Sequence, residues 1–262
     1  KWWNGIWLNE AFATFMEMHA TEAFRPEWER WATFGLARTA AFDTDALSST
    51  RPIEYPVVSP TDAEGMFDIL TYEKGAAVVR MLEQYLGEDE FRDGIRAYLT
   101  AHAYGNTETT DLWDAIETVT GEPVRRIMDS WIFQPGFPLI TASADGDQIT
   151  LKQERFAYEG AADSGQRWAV PITARVHNDA EWSNTLVTLL DGDSATFDAP
   201  AGAPVVRGQQ IVARREKATR LIESGQRIEP DAAPLGCEFH GICQQVHEYL
   251  QHAALVCQHH PA

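Results

Sequence analysis

Two short segments combine residue types that can do chemistry. Trp7-Leu8-Asn9-Glu10-Ala11-Phe12 sets one carboxylate in an aromatic-rich, otherwise apolar run. Burying a carboxylate in such surroundings is expensive unless it is paired or bound to a metal. Taken alone, Glu10 is more simply read as facing solvent or pairing with an arginine. Thr71-Tyr72-Glu73-Lys74-Gly75-Ala76 places a tyrosine at a helix start, where its hydroxyl can donate to a developing oxyanion. Taken alone, Tyr72 is more simply a core aromatic with a locally satisfied hydroxyl. A third candidate fails on spacing. His247 and His252 flank a glutamate, but i and i+5 diverge on a helix, whereas i and i+4 share a face. Cys237, Cys243 and Cys257 match no standard metal-binding spacing either.

The elements that must carry these residues follow from periodicity. Trp7, Leu8, Ala11, Phe12, Phe15 and Met16 recur at helical spacing from Gly5 to about Phe24, with Asn4 as N-cap and Arg25-Pro26 as terminator. Pro26 suits the first turn of a second helix through Trp28, Trp31, Phe34 and Leu36. The three prolines of residues 49–61 favour an extended surface segment. Further helices are expected over Tyr72–Leu86, closed by Gly87, and over Glu88–Ala103. Two more follow, from Thr110 to Gly121 and from Pro123 to Pro135-Gly136. Beyond residue 137 the period changes to short β-rich runs: PLITASA, QITLKQERFA, WAVPITARV, WSNTLVTLL and SATFDA. Asp145-Gly146-Asp147, Asn178-Asp179 and Asp191-Gly192-Asp193 separate them, a spacing that suggests a small antiparallel sandwich.

Composition narrows the function classes. The 262 residues are 44% hydrophobic and 23% charged, as in an ordinary globular protein with a sizeable core. The net charge of -18 disfavours a nucleic-acid partner, because an acidic chain repels phosphate backbones. No apolar window is long enough to span a membrane, and no secretory signal is present. Residues 1–204 hold 15 basic and 33 acidic side chains, whereas residues 205–262 hold six of each. All three cysteines and five of the eight histidines also fall in that tail. The shift marks a boundary, so three parts are expected: 1–137, 138–204 and an atypical tail, 205–262.

The two site segments, read together, change their interpretation. KWWNGIWLNEAFATFMEM followed by FDILTYEKGAAVVRMLE closely resembles the M1 family of zinc aminopeptidases, the gluzincin group. STRPIEYPV and NTETTDLWDAIETVTGEPVRRIMDSWIFQPGFPLI are similar to that family as well, so the resemblance extends over about residues 1–204. For the fold it implies the helical C-terminal lobe of a thermolysin-like catalytic domain, followed by a small antiparallel β-sandwich. It further implies that Glu10 is the glutamate that joins two histidines of an HExxH helix around zinc. That donor set leaves an open position for water. Tyr72 corresponds to the family's transition-state stabiliser, donating to the oxyanion formed when zinc-activated water attacks the peptide carbonyl. Trp7, Asn9 and Glu73 are assigned no chemistry.

HExxH and the family's GxMEN segment, whose glutamate binds the free amine of the substrate, are both absent from residues 1–262. The chain therefore reads as a fragment beginning just after HExxH. It is expected to bind zinc poorly and to hydrolyse nothing by itself. The intact parent is expected to act on peptides with a free N-terminus, with no nucleic-acid or membrane partner and a cytoplasmic location. A non-catalytic, protein-binding relative on the same scaffold is the alternative, and a fragment with no stable fold of its own is a third. Where the family continues with a glycine-rich, aromatic strand, this chain reads RGQQIVARREKATRLIESG, so a tail translated from a shifted frame is a further expectation.

Overall fold

A computed structural model describes residues 3–145, 148–158, 164–178, 181–198, 203–207 and 212–214. The three cysteines and the His247–His252 pair lie outside the described residues. Seven helices come first: α1 (Ile6–Phe24), α2 (Arg30–Asp45), α3 (Pro60–Glu64), α4 (Gly75–Leu86), α5 (Glu88–Ala101), α6 (Thr109–Thr120) and α7 (Val124–Ile132). Seven strands follow: β1 (Pro138–Asp145), β2 (Gln148–Arg155), β3 (Val170–Asn178), β4 (Glu181–Leu190), β5 (Ser194–Asp198), β6 (Ala203–Arg207) and β7 (Val212–Arg214). No helix among the described residues is long and apolar enough to cross a membrane.

Helix α1 is oriented by Trp7, Ala11, Phe15 and Met18, which are buried at near i, i+4 intervals. Its cap is Gly5 without a side-chain bond, because Asn4 lies inside a 3-10 turn, Trp3–Gly5, rather than at the cap. Pro26 does not begin the second helix. It opens a separate 3-10 turn, Pro26–Trp28, and Glu29 then reverses the chain at φ 46. Helix α2 starts only at Arg30, whose N–H donates to the Glu22 carboxylate of α1 at 2.6 Å. That distant acceptor replaces the local cap, and it leaves Trp28 60% exposed. Within the segment expected to be extended, Ser59 and Asp62 form a reciprocal capping box that starts α3.

The chain does not enter α4 directly. Leu70–Lys74 forms a π turn, and Gly75 then opens the α-helix. Helix α4 ends at Gly87, where φ is +91, and α6 ends at Gly121, where φ is +72. Around α4 the core is built from Trp7, Phe15, Leu82, Trp113, Ile116, Ile127, Met128 and Trp131. The same buried cluster continues without a break through Phe137, Ile140, Ile149, Leu151, Trp168 and Val170.

The strands form two small sheets, ordered β5-β2-β1-β7 and β4-β3-β6. Along β2 the buried residues Ile149, Leu151 and Gln153 alternate with exposed Gln148, Lys152 and Glu154, as a strand with one covered face requires. Every pair is antiparallel except β1–β7, where Leu139, Ile140 and Thr141 run parallel to Val212, Ala213 and Arg214. The parallel pair involves residues beyond 204, and the pairs among β1 to β5 are antiparallel as expected. Strand β6 runs across the boundary expected at residue 204, and β7 lies beyond it. Side-chain bonds join α7 to the β region: Trp131 Nε1 donates to the Ala169 carbonyl at 3.0 Å, and Ala169 N–H to Ser130 Oγ at 3.0 Å.

Candidate active site

Glu10 stands one turn beyond Trp7, at the half-buried margin of α1. The Trp7 indole donates to Glu54 Oε2 at 2.6 Å, and Thr109 donates to the same oxygen at 2.5 Å. Trp7 also packs on Trp113 with ring centroids 6.1 Å apart. The rotation of α1, and hence the direction of Glu10, is therefore set by a fully buried tryptophan with a satisfied N–H.

Tyr72 sits in the middle of the π turn. The turn is started by Asp68, whose Oδ1 accepts the N–H groups of Leu70 at 2.9 Å and Thr71 at 3.2 Å. Arg51 fixes that carboxylate at 2.5 Å and donates to Thr71 Oγ1 at 3.0 Å. At the other end, Gly75 meets α1. A Cβ at Gly75 would stand 2.7 Å from the Ala11 Cβ, closer than two carbons can approach. Glycine is thus what lets the two elements touch beside Glu10.

That approach brings Glu10 and Tyr72 together. It brings them close enough for the Glu10 carboxylate to act on the Tyr72 phenol. Partial desolvation is the leading cause that raises the Tyr72 phenol above its ordinary range. The Glu10 hydrogen bond and charge follow, with a smaller contribution from Glu73. The phenol accordingly keeps its proton near neutral pH and remains a donor. The Glu73 carboxyl is also raised, first by desolvation, with the Asp68 charge adding to the effect.

Geometrically, then, the two residues singled out in separate segments are direct neighbours. The supporting set was not found by sequence reasoning: Glu54, Arg51, Asp68 and Gly75 all lie in the quoted segments or beside them, but their partners are distant in the chain. Among the described residues, no group of three or more His, Cys, Asp or Glu side chains could hold a metal ion. One carboxylate with a hydroxyl on it does not make a metal site by itself, so zinc does not fit this residue set alone.

Comparison with known proteins gives a consistent picture. The model of the peptidase family M1 domain matches residues 1–131. The Tricorn protease-interacting factor F2 of Thermoplasma volcanium is 44% identical over 174 residues, which are 66% of this chain and 22% of that protein. A leucyl aminopeptidase of Saccharolobus solfataricus is 41% identical over 178 residues, 68% of this chain and 22% of the relative. Aminopeptidase M1 of Arabidopsis thaliana is 41% identical over 198 residues, 76% of this chain and 22% of the relative. The chain thus spans 22% of the length of each of these three relatives.

Proposed function

As the chain belongs to peptidase family M1, we propose that it is part of a zinc-dependent aminopeptidase, in which Tyr72 donates to the oxyanion and Glu10 is one zinc ligand. The observation that carries this reading is the close approach of Gly75 to Ala11, which sets the turn carrying Tyr72 against the helix carrying Glu10. A phenol that keeps its proton can serve there as a donor to the developing charge of a peptide carbonyl. The substrates proposed for the intact protein are peptides with a free N-terminus, in a cytoplasmic setting. The aminopeptidase names of the relatives from Saccharolobus solfataricus and Arabidopsis thaliana support that class.

In this reading residues 1–137 are the helical lobe of a thermolysin-like domain, residues 138–204 a small β-sandwich, and residues 205–262 an atypical tail whose first residues still add to the sheets. The two histidines of HExxH that would complete the metal site do not occur in residues 1–262, so the 262-residue chain is expected to be inactive alone. Zinc analysis of the purified chain, with an aminoacyl-nitroanilide as substrate, is expected to show neither bound metal nor turnover. Stoichiometric zinc or sustained turnover would overturn the proposed division of the site. In the intact protein, Glu10→Gln is expected to remove both zinc and activity, and a variant that keeps its zinc would contradict the role given to Glu10.

A further inference from the structure

Lys74 lies two residues beyond Tyr72, at the end of the π turn, and is 5% exposed. Its ammonium stands 2.7 Å from Asp45 Oδ2 and donates to the Gly136 carbonyl at 3.0 Å. Asp45 is the last residue of α2 and is 1% exposed. Its other oxygen accepts the Gly136 N–H at 3.0 Å and the Thr50 hydroxyl at 2.7 Å. Both backbone polar groups of Gly136 are therefore held by this one ion pair. Gly136 has a φ of +86, and a Cβ there would stand 2.6 Å from Arg155 Nε, so the turn between α7 and β1 accepts little else. A chain of contacts runs from that turn through Lys74 to the element that carries Tyr72.

Stability alone does not call for charges here. An apolar pair of similar volume commonly packs as well as a buried ion pair, or better. What the pair adds is a fixed point. A π turn holds one residue more than the α-helix it interrupts, and such turns recur at functional sites. Relaxing to α geometry would shift the register by one residue and rotate Tyr72 by about 100° around the helix axis. Lys74, tied from outside the helix, opposes that shift.

We propose that the buried Lys74–Asp45 pair is a positioning device for Tyr72, holding the π turn beside α1 in one register and taking its reference from the turn that opens the β region. The proposal rests on the reading of Tyr72 as the oxyanion donor. Its test reads position alone. In the 262-residue chain, tyrosines labelled at Cζ are observed by NMR at one fixed pH, with Tyr72 and Tyr85 assigned through Tyr72→Phe and Tyr85→Phe. Tyr85 sits further along α4 with its hydroxyl on Glu122 at 2.6 Å, so it reports whether the helix and its surroundings remain folded.

The deciding variant is Asp45→Asn combined with Lys74→Met. It removes both charges together and keeps an oxygen for Gly136 N–H and Thr50. In it the Tyr72 resonance is expected to move to the position of a solvent-exposed tyrosine, with Tyr85 unmoved. Amide exchange over Tyr72–Gly75 is expected to rise about tenfold or more, as for a locally loosened segment, with α6 unchanged. Lys74→Met alone should do the same where it folds, and the double variant decides where it does not. An unmoved Tyr72 signal in the double variant would overturn the proposal. So would loss of the Tyr85 signal there, because the pair would then hold the whole fold and not one turn. Undiminished turnover of Tyr72→Phe in the intact protein would instead defeat the reading of Tyr72 and leave the NMR outcome standing.

Discussion

The helical and β regions each bury a polar side chain that fastens distant backbone, and they use opposite chemistry to do it. In β2, Gln153 is 4% exposed. Its amide nitrogen donates to the carbonyls of Trp168 at 2.9 Å and Gly192 at 2.8 Å, and its oxygen accepts the Trp168 N–H at 2.9 Å. It is neutral and acts as a substitute for a missing strand partner. In the helical region the same service is done by a charged pair, Lys74 and Asp45. Both Gln153 and the pair satisfy buried backbone groups, as burial demands. The difference lies in what a small displacement costs. An amide that loses a bond loses a modest amount, whereas separated buried charges lose far more. The β region needs only its edges in register, and the helical region needs one hydroxyl at one place.

The contrast breaks most visibly if the charged pair proves cheap to disrupt. Lys74→Met leaves Asp45 buried without its countercharge and is expected to cost about 3–5 kcal/mol in urea unfolding. Adding Asp45→Asn should recover most of that loss. A second, independent requirement of the helical region is the close approach at Gly75. Gly75→Ala puts a methyl against Ala11 and is expected to cost about 1–3 kcal/mol, with Ala11→Gly in the same chain restoring it. Gln153→Met unpairs three backbone groups, one of them on exposed Gly192, and its cost is expected at about 1–3 kcal/mol. A Gln153 variant less stable than Lys74→Met would reverse the comparison.

The smallest effect is set by pH. The Ser59 hydroxyl, and then the Val58 N–H, hold the Asp62 carboxyl below its ordinary value of 3.8. A depressed carboxyl stabilises the folded form fully above its unfolded value and loses that contribution as pH falls through the folded one. Amide exchange at the start of α3 should therefore quicken only below about pH 4. Loosening of α3 already at pH 6 would contradict this account of its cap.

Much of the scaffold was legible from local chemistry. The Asp191-Gly192-Asp193 turn separates β4 from β5, and the glycines at 87 and 121 end α4 and α6, because backbone demands there are met by the residue on the spot. The failures share another cause. The start of α2 depends on Glu22, a residue of the preceding helix. Ser59-Pro60-Thr61-Asp62 carried a readable capping signature, but the surrounding prolines dominated the reading. The π turn has no apolar period of its own, so Tyr72–Leu86 read as one helix. At the site, Glu10 and Tyr72 each had a simpler explanation alone, and only the resemblance joined them. Nothing local to Lys74 shows that Asp45 and Gly136 close over it. Side chains whose partners lie far along the chain are invisible to spacing.

The most direct test of the Glu10–Tyr72 site is the turnover of the intact protein carrying Tyr72→Phe, which removes one hydroxyl and little else. The account predicts that kcat falls about 10²–10³-fold, the loss seen when one oxyanion donor is removed, with KM and zinc content close to those of the parent. A variant that turns over at the parental rate would contradict it.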